Sequence, residues 1–388
     1  MDNKHFLPLA IALLMFPQLA QTLYSPALAD FVQHFAVAPG LAAQTLTVYF
    51  LSFAFGVIGW GWLSDRCGRR VAMLAGLAFY AAATVIALCV TTFQGLLFAQ
   101  AFAAFGAAVG SVVTQTILRD CFAGAALTKV FAVVGMVLAL SPAIGLFAGA
   151  ALVHAFGYRG VLWCLLVLAM SLLVWSAVAL PETRSRAMTN VSLRETFRLL
   201  MHNAGVWRSA LLVTVFNVAM YGYYALGPFI FQRLGLNESA YGASGILLAA
   251  GSSLGSWSNR AFARAGVRAE NLLMLSAVLV LGGGLGVRAL LHSEWFIAPT
   301  LLVVFAFGLA IPHVLGKALS AFGDRLGTAG ALFGLMYYLM IGAGMLLTGW
   351  GQSLGNTLLV CGGIALLLSI SGRDGLSVSP VRLGKTDH

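Results

Sequence analysis

Residues 61–70 read Gly61-Trp62-Leu63-Ser64-Asp65-Arg66-Cys67-Gly68-Arg69-Arg70, and they join two long apolar runs, 41–64 and 70–91. Gly61 allows a close approach between neighbouring helices, and Gly68 permits a tight turn. The single carboxylate, Asp65, lies among arginines with which it can pair. Since each flanking run is long enough to cross a bilayer, the stretch predicts a helical hairpin with a charged turn at the membrane surface.

The composition excludes a soluble protein. Of 388 residues, 60% are hydrophobic and only 9% are charged, and the mean hydropathy is +0.93. A soluble protein of this size carries about 25% charged residues. The apolar runs are about 20 residues long, which suits spanning helices, and they lack the alternation of membrane β-strands.

Twelve such runs follow one another along the chain. The predicted spans are 6–28, 41–64, 70–91, 95–118, 127–153, 159–180, 206–233, 240–263, 270–291, 295–317, 327–350 and 354–372. A charged stretch after residue 180 separates six runs from six. The sequence therefore predicts an all-α integral membrane protein with twelve transmembrane helices in two pseudo-symmetric six-helix bundles. Its parts would be residues 1–183, a cytoplasmic linker 184–205, and residues 206–388 with a short cytoplasmic tail.

The net charge of +10 has two interpretations, nucleic-acid binding or membrane topology. With both termini cytoplasmic, all but three of the 22 Lys and Arg fall on cytoplasmic loops, and Arg159, Arg233 and Arg288 fall outside. An excess of Lys and Arg on cytoplasmic loops is the rule for membrane proteins. We therefore expect a multi-pass protein of a bacterial-type inner membrane, without a nucleic-acid partner.

The sequence offers no pattern for a cofactor or a metal. The five cysteines are scattered and form no CxxC pair, which argues against a disulfide framework or metal site. No glycine-rich phosphate loop follows a strand, so we expect no ATP hydrolysis. The first apolar run is too long for the core of a signal peptide and is predicted as helix 1.

Residues 61–70 resemble the loop signature of the major facilitator superfamily, G-x-L-(A/S)-D-R-x-G-R-(K/R). The defining positions are Gly61, Asp65, Arg66, Gly68, Arg69 and Arg70. Other segments resemble the twelve-helix drug:proton antiporters, especially the Bcr/CflA-type exporters. These are the helix 1 stretch 22–28, Arg119-Asp120 after helix 4, Pro142 in helix 5, and the helix 6 ending 180–183.

The resemblance implies export by alternating access, coupled to protons, through a site between the two halves lined by helices 1, 4, 7 and 10. The charge cluster of the loop signature can latch the two halves in one state and release them in the other. Arg119 and Asp120 would either contribute to this gate or form a simple cytoplasmic ion pair, and Pro142 is counted with the gating residues. Three positions depart from the group's pattern. The helix 1 acid falls on Thr22, the helix 4 arginine on Gln100, and the second helix 5 proline on Leu146.

The predicted spans contain uncharged polar side chains, but no Asp or Glu lies near the middle of the membrane. Polar side chains in a bilayer face partners or water, so this set predicts a cavity wall, or else hydrogen bonds that hold helices together. The candidate substrate-binding residues are Gln18, Gln21, Thr22, Tyr24, Gln100, Ser111, Gln115, Asn217, Tyr221, Tyr224, His313, Tyr337 and Tyr338.

Two residues are candidates for carrying a coupling proton. His313 can change charge near neutral pH, although a hydrogen-bonded structural histidine beside Pro312 is the favoured interpretation. Asp30 lies just outside helix 1, where it would face either a cavity mouth or solvent.

The sequence thus predicts a monomeric secondary transporter whose small-molecule cargo is neutral, zwitterionic or anionic. The alternatives are a dedicated exporter of a secreted metabolite such as a siderophore, and a transporter-like sensor that moves nothing. A membrane enzyme is disfavoured, since a nucleophile and base pair is not visible.

Overall fold

A computed structural model describes residues 6–184 and 193–374. The predicted ends of the chain (1–5 and 375–388) and residues 185–192 of the predicted linker lie outside these ranges. The helices are α1 Leu7–Phe35, α2 Pro39–Cys67, α3 Arg69–Cys89, α4 Phe93–Cys121, α5 Gly124–Ala179, α6 Leu193–Met201, α7 Ala204–Arg233, α8 Glu238–Arg264, α9 Ala269–Leu290, α10 Ile297–Ala318, α11 Leu326–Gly351 and α12 Leu354–Asp374.

Helix α5 consists of two antiparallel limbs. Its 56 residues would extend for about 84 Å if straight, far more than the ~30 Å hydrocarbon core of a bilayer. Gly157 interrupts it with φ 64° and ψ −169°. Asp120 precedes α5 and Thr183 follows it, yet the Thr183 hydroxyl donates to the Asp120 carboxylate at 3.2 Å. The chain therefore reverses at Gly157, and the limbs 124–156 and 158–179 correspond to the predicted spans 127–153 and 159–180.

By length and hydropathy, ten helices in the described part of the chain can cross a membrane. Helix α5 counts once among them although it has two limbs. Helix α8 is not among the ten because glycine and serine lower its hydropathy. Together, α1–α4, the two limbs of α5, and α7–α12 make the twelve predicted spans. The short helix α6 lies within the predicted linker, where the sequence suggested no helix.

The spans pack as two similar halves. In the first half, α1 packs on α5, and α4 packs on α2 and α3; in the second, α9 packs on α12 and α10, and α8 packs on α10. Between the halves, α2 contacts α11 and α5 contacts α8. Exchanging the halves maps α2 onto α8 and the first limb of α5 onto α11, so each of these contacts maps onto the other. This is the pseudo-symmetry predicted from the sequence.

Several close contacts between the halves lie toward one end of the molecule. We call the end that carries residues 61–70 the motif end, and the end that carries Phe35 and Pro39 the far end. Near the far end, the Ser25 hydroxyl lies 2.5 Å from the Tyr224 carbonyl oxygen and 2.6 Å from the Tyr241 hydroxyl. There too, a Cβ on Gly40 would lie 3.0 Å from the Gly349 carbonyl oxygen. Small residues at such crossings let helices from the two halves meet closely.

Candidate functional site

A cleft lies between the halves, on the motif side of these contacts, with about 470 Å³ of empty space that includes its opening to solvent. It draws on α1, α2, α4 and the first limb of α5, and on α7 and α11 of the second half. The lining residues are Leu14, Pro17, Gln18, Gln21, Tyr49, Phe50, Phe53, Ser111, Gln115, Leu138, Tyr221 and Tyr338. Within the described residues, the lining contains amides, hydroxyls and aromatic rings but no charged side chain.

The amide groups of the cleft differ in how far they are satisfied. Gln115 donates to the Ser111 hydroxyl at 3.3 Å, so these two side chains partly satisfy each other. Gln21 is 3% exposed, and its Nε2 has no hydrogen-bond partner. An unsatisfied buried donor costs about 1–3 kcal/mol. Gln21 is therefore the lining residue best prepared to donate a hydrogen bond to an incoming acceptor.

An aromatic wall joins the two halves across the cleft. The rings of Phe50 and Tyr221 lie 4.6 Å apart, and those of Phe53 and Tyr338 lie 4.9 Å apart. The Tyr49 hydroxyl donates to the Pro17 carbonyl oxygen at 2.6 Å, which fixes its ring against α1. Aromatic pairs at these spacings stabilise their contact by about 0.5–1.5 kcal/mol beyond area burial. A flat apolar ligand could bind between these rings and stack on them in place of their contacts with each other.

The structure brings six of the thirteen predicted binding residues together in the cleft: Gln18, Gln21, Ser111, Gln115, Tyr221 and Tyr338. The other seven are not in its lining: Thr22, Tyr24, Gln100, Asn217, Tyr224, His313 and Tyr337. The cleft also includes Tyr49, Phe50 and Phe53 of α2, which the sequence analysis missed. In the sequence these three residues appear only as aromatic side chains at i, i+1 and i+4. That spacing is also found on any buried helix face, so it did not indicate a cleft.

Helix packing explains why several predicted residues lie elsewhere. The Thr22 hydroxyl donates to the Gln18 carbonyl oxygen at 2.8 Å, and its side chain fills the space above Gly145 of α5. Asn217 donates from Nδ2 to the carbonyl oxygen of Val213, one turn earlier, at 2.7 Å. These groups satisfy their polarity within one helix, so they need no cavity.

Four further predicted residues pack among helices. Tyr24 lies against Phe31, with 5.6 Å between ring centroids. Gln100 is 3% exposed in α4 and lies nearer to the far end than the cleft residues Ser111 and Gln115 do. The Tyr337 ring lies 4.4 Å from that of Tyr338 and therefore stands directly behind the cleft wall. Tyr224 is buried against Tyr221 at 5.8 Å, again one layer behind the lining.

The charged residues at the motif end converge on Arg69. Its Nη1 lies 2.5 Å from Asp65 Oδ1, and its Nε lies 3.2 Å from Asp120 Oδ2. Arg66 instead stacks on Trp62 at 4.5 Å, and Arg119 lies over Phe131 at 5.9 Å. All these contacts lie within the first half of the described chain.

Glu182 completes this cluster, although the sequence analysis gave it no gating role. Its carboxylate accepts from the backbone N–H of Arg69 at 2.8 Å and of Arg70 at 3.2 Å. A Cβ at Gly68 would overlap that carboxylate, and Gly68 has φ 106°. Glycine is therefore required here both by space and by conformation. Burial raises the pKa of Glu182, but these N–H donors outweigh it and hold the pKa below the ordinary value of 4.5.

Pro142 and Gly61 act on helix geometry. Proline lacks an N–H, so Pro142 leaves the carbonyl of Leu138, which lines the cleft, without its usual helical donor. A Cβ on Gly61 would meet Val112 at 3.8 Å, an ordinary contact, so space alone does not require glycine there.

A sequence model described as Major Facilitator Superfamily matches residues 10–345. The chain belongs to the major facilitator superfamily. This facilitator is 27% identical over 379 residues to an uncharacterized transporter of Rickettsia felis, with 93% of each chain covered. It is also 27% identical over 355 residues to Multidrug resistance protein D of Escherichia coli, covering 89% of this chain and 88% of the relative.

Solved structures share the fold of this facilitator. A D-xylose-proton symporter matches with a TM-score of 0.76 and 13% identity, covering 95% of this chain and 97% of the symporter. A bacterial homologue of the human lysosomal transporter Spinster, inward-facing and occupied, matches with a TM-score of 0.75 and 13% identity, covering 97% and 99%. Since it belongs to the superfamily, the chain is a multi-pass secondary transporter and not an enzyme, and it is distantly related to multidrug efflux proteins.

The two residues predicted to carry a proton occupy different parts of the facilitator. Asp30 Oδ2 accepts from the Tyr158 N–H at 2.6 Å, so it caps the second limb of α5 at the far end, outside the cleft. His313 lies in α10 toward the motif end, and its Nε2 is buried without a hydrogen-bond partner.

Proposed function

We propose that this transporter exports neutral, zwitterionic or anionic small molecules by alternating access, coupled to protons. The observation that carries the proposal is the cleft between the halves. Its described lining offers amides, hydroxyls and aromatic rings but no Asp or Glu. The relationship to Multidrug resistance protein D supports export rather than uptake.

The lining favours uncharged aromatic cargo over lipophilic cations. A ring face attracts a cation by about 0.5–2 kcal/mol. Removing an ion from water costs several kcal/mol, so rings alone do not compensate a cation that lacks a carboxylate partner. A neutral ligand avoids that cost, stacks on Phe50 or Tyr221, and accepts a hydrogen bond from Gln21.

We assign the motif end to the cytoplasm, because the basic residues of the chain concentrate there. The halves then touch at the outer end and the cleft lies toward the cytoplasm, which is the inward-facing arrangement of an exporter ready to load. In the opposite arrangement, the cluster around Arg69 would meet the second half. Residues 1–183, 184–205 and 206–388 would be the first bundle, the linker and the second bundle, in a monomer with both termini cytoplasmic.

Counterflow in proteoliposomes tests the function directly. Vesicles loaded with unlabelled chloramphenicol, a neutral aromatic amphiphile, should take up the labelled compound from outside faster than protein-free vesicles, in which only passive diffusion operates. Gln21→Leu removes one hydrogen bond of about 1 kcal/mol and should raise the half-saturation constant for chloramphenicol roughly fivefold. Gln100→Leu is the matched control, because that equally buried amide lies outside the cleft.

Other outcomes would assign a different role. Exchange of a carboxylate siderophore without exchange of chloramphenicol would indicate a dedicated metabolite exporter. If neutral, zwitterionic and anionic probes all failed to exchange while the protein remained folded, the chain would be a sensor and the proposal would be wrong.

A further inference from the structure

A polar cluster lies inside the second half, away from the cleft, where α8 packs on α10. These helices run in the same direction and approach closely at two glycines. A Cβ on Gly255 would overlap the Phe305 carbonyl oxygen, and one on Gly308 would overlap the Ser252 carbonyl oxygen. Polar side chains of α8 are therefore brought against the backbone of α10.

Pro312 interrupts the hydrogen bonds of α10 at this crossing. Because proline has no N–H, the Gly308 carbonyl lacks its usual donor four residues later. The Ser256 hydroxyl of α8 approaches that carbonyl oxygen at 3.4 Å. Pro312 thus leaves a backbone carbonyl without its helical donor inside the bundle, and the Ser256 hydroxyl of α8 is the group that can donate to it.

One turn closer to the motif end, two buried polar atoms have no partner: Asn259 Oδ1 on α8 and His313 Nε2 on α10. Asn259 follows Gly255 by four residues, and His313 follows Leu309 by four. Since a Cβ on Gly255 would lie 3.2 Å from the Leu309 nitrogen, both side chains continue along the same crossing. Neither atom bonds to the other in this arrangement, but an unpaired acceptor and an unpaired ring nitrogen along one helix crossing are the groups that a bound proton, or a water that passes one, requires.

The charges around this cluster leave His313 as its titratable group. On α10 itself, Lys317 pairs with Glu270 of α9 at 3.2 Å. On α7, Arg208 donates from Nε to the Leu368 carbonyl oxygen at 2.8 Å. Helix α8 carries Arg260 and Arg264 toward the same end. The carboxylate of this group is thus already paired, and the remaining charges are positive.

Given the proposed function, we propose that His313 binds the coupling proton and that Asn259 positions it. In one arrangement of the halves, the lone pair of His313 Nε2 takes a proton from water, and Asn259 Oδ1 accepts the new N–H. In the other arrangement the proton returns to water and the imidazole is neutral again. This site would replace the helix 1 acid, whose position is occupied by Thr22, packed against Gly145.

The test compares exchange with accumulation in the same proteoliposomes, using chloramphenicol. Counterflow needs no net proton movement, whereas one coupled proton should concentrate a neutral cargo about tenfold per unit of pH difference. His313→Gln should keep counterflow and lose the accumulation. His292→Gln, an exposed histidine near the far end, should keep both. Asn259→Leu should reduce accumulation more than counterflow.

Three results would overturn the proposal. These are wild-type protein that exchanges the probe but never accumulates it under a pH gradient, His313→Gln protein that accumulates it normally, and loss of both activities together in folded His313→Gln protein. If the wild type fails even in counterflow, the proposed function fails separately. Histidine-selective ¹⁵N NMR in nanodiscs then decides: the His313 titration should move in Asn259→Leu, and an unchanged titration contradicts the site.

Discussion

Single residues decide how closely the helices of the first half can pack. A Cβ on Gly145 would overlap the Thr22 hydroxyl oxygen, whereas Gly135 in the same limb of α5 has nothing within 4 Å of such a Cβ. The same substitution therefore has opposite consequences at the two sites, since overpacking destabilises and extra helix propensity stabilises.

We predict that Gly145→Ala destabilises the protein by about 1–3 kcal/mol. Gly135→Ala, the matched control, should be neutral or stabilise by about 0.5–1 kcal/mol. Thermal unfolding in detergent measures both. Equal unfolding temperatures for the two variants would show that α1 and α5 are not in close contact at Gly145.

At the scale of residues, the sequence predicted which residue types form the cleft better than it predicted which way each side chain points. Gln18, Gln21 and Tyr221, which were predicted to bind substrate, lie together in the lining of the cleft. Thr22 follows Gln21 directly, but a helix rotates by about 100° per residue, which turns its side chain toward Gly145. No pattern in the sequence gives the rotation of a helix that is apolar on all sides, so the sequence could not separate these neighbours.

At the scale of elements, the reversal of α5 depends on two residues that the sequence did not pair. Gly157 has φ 64° and ψ −169°, a region that is essentially restricted to glycine. Asp30 of α1 caps the limb that follows, through the Tyr158 N–H.

We predict that Gly157→Ala lowers stability by about 1–3 kcal/mol and that Asp30→Ala lowers it by about 1 kcal/mol. Asp30→Asn keeps an acceptor oxygen and should lose less. Unfolding temperatures measured in the same detergent check the order. An Asp30→Asn variant as unstable as Asp30→Ala would mean that the negative charge, and not the cap, matters.

The start of α3 carries a pH-dependent contact. Because the pKa of Glu182 is lowered in the folded state, its contribution to stability is present above its ordinary value of 4.5. That contribution is lost as the pH falls through the lower folded value. We expect the wild type to unfold at a higher temperature than Glu182→Gln at pH 7, with the difference shrinking below pH ~4.5. A difference that is constant from pH ~7 to pH ~3 would exclude this role for the carboxylate.

The sequence predicted the existence of the spans well and their ends less well. Helix α1 continues to Phe35, beyond the predicted end at residue 28. Its charged residue Asp30 accepts a hydrogen bond from the Tyr158 N–H, so the helix can continue past it. Helix α6 was missed because it is short and polar, and so lacks the long apolar run on which the spans were recognised.

Over the whole molecule, the contacts between the halves define one of two arrangements. Gly40 of α2 lies against Gly349 of α11 at the far end. We predict that a disulfide between Gly40→Cys and Gly349→Cys, in a background without the five native cysteines, stops counterflow and that reduction restores it. Each single variant should transport normally. Full exchange by the cross-linked protein would show that the halves need not separate there.

The selectivity of the cleft also belongs to the whole molecule, since both halves build its wall. The central claim is that this transporter moves cargo through a cleft without a carboxylate. Counterflow rates for chloramphenicol and for the lipophilic cation tetraphenylphosphonium, in the same vesicles, test it most directly. We predict exchange of chloramphenicol and little or none of the cation, whereas exchange of the cation alone would contradict the claim.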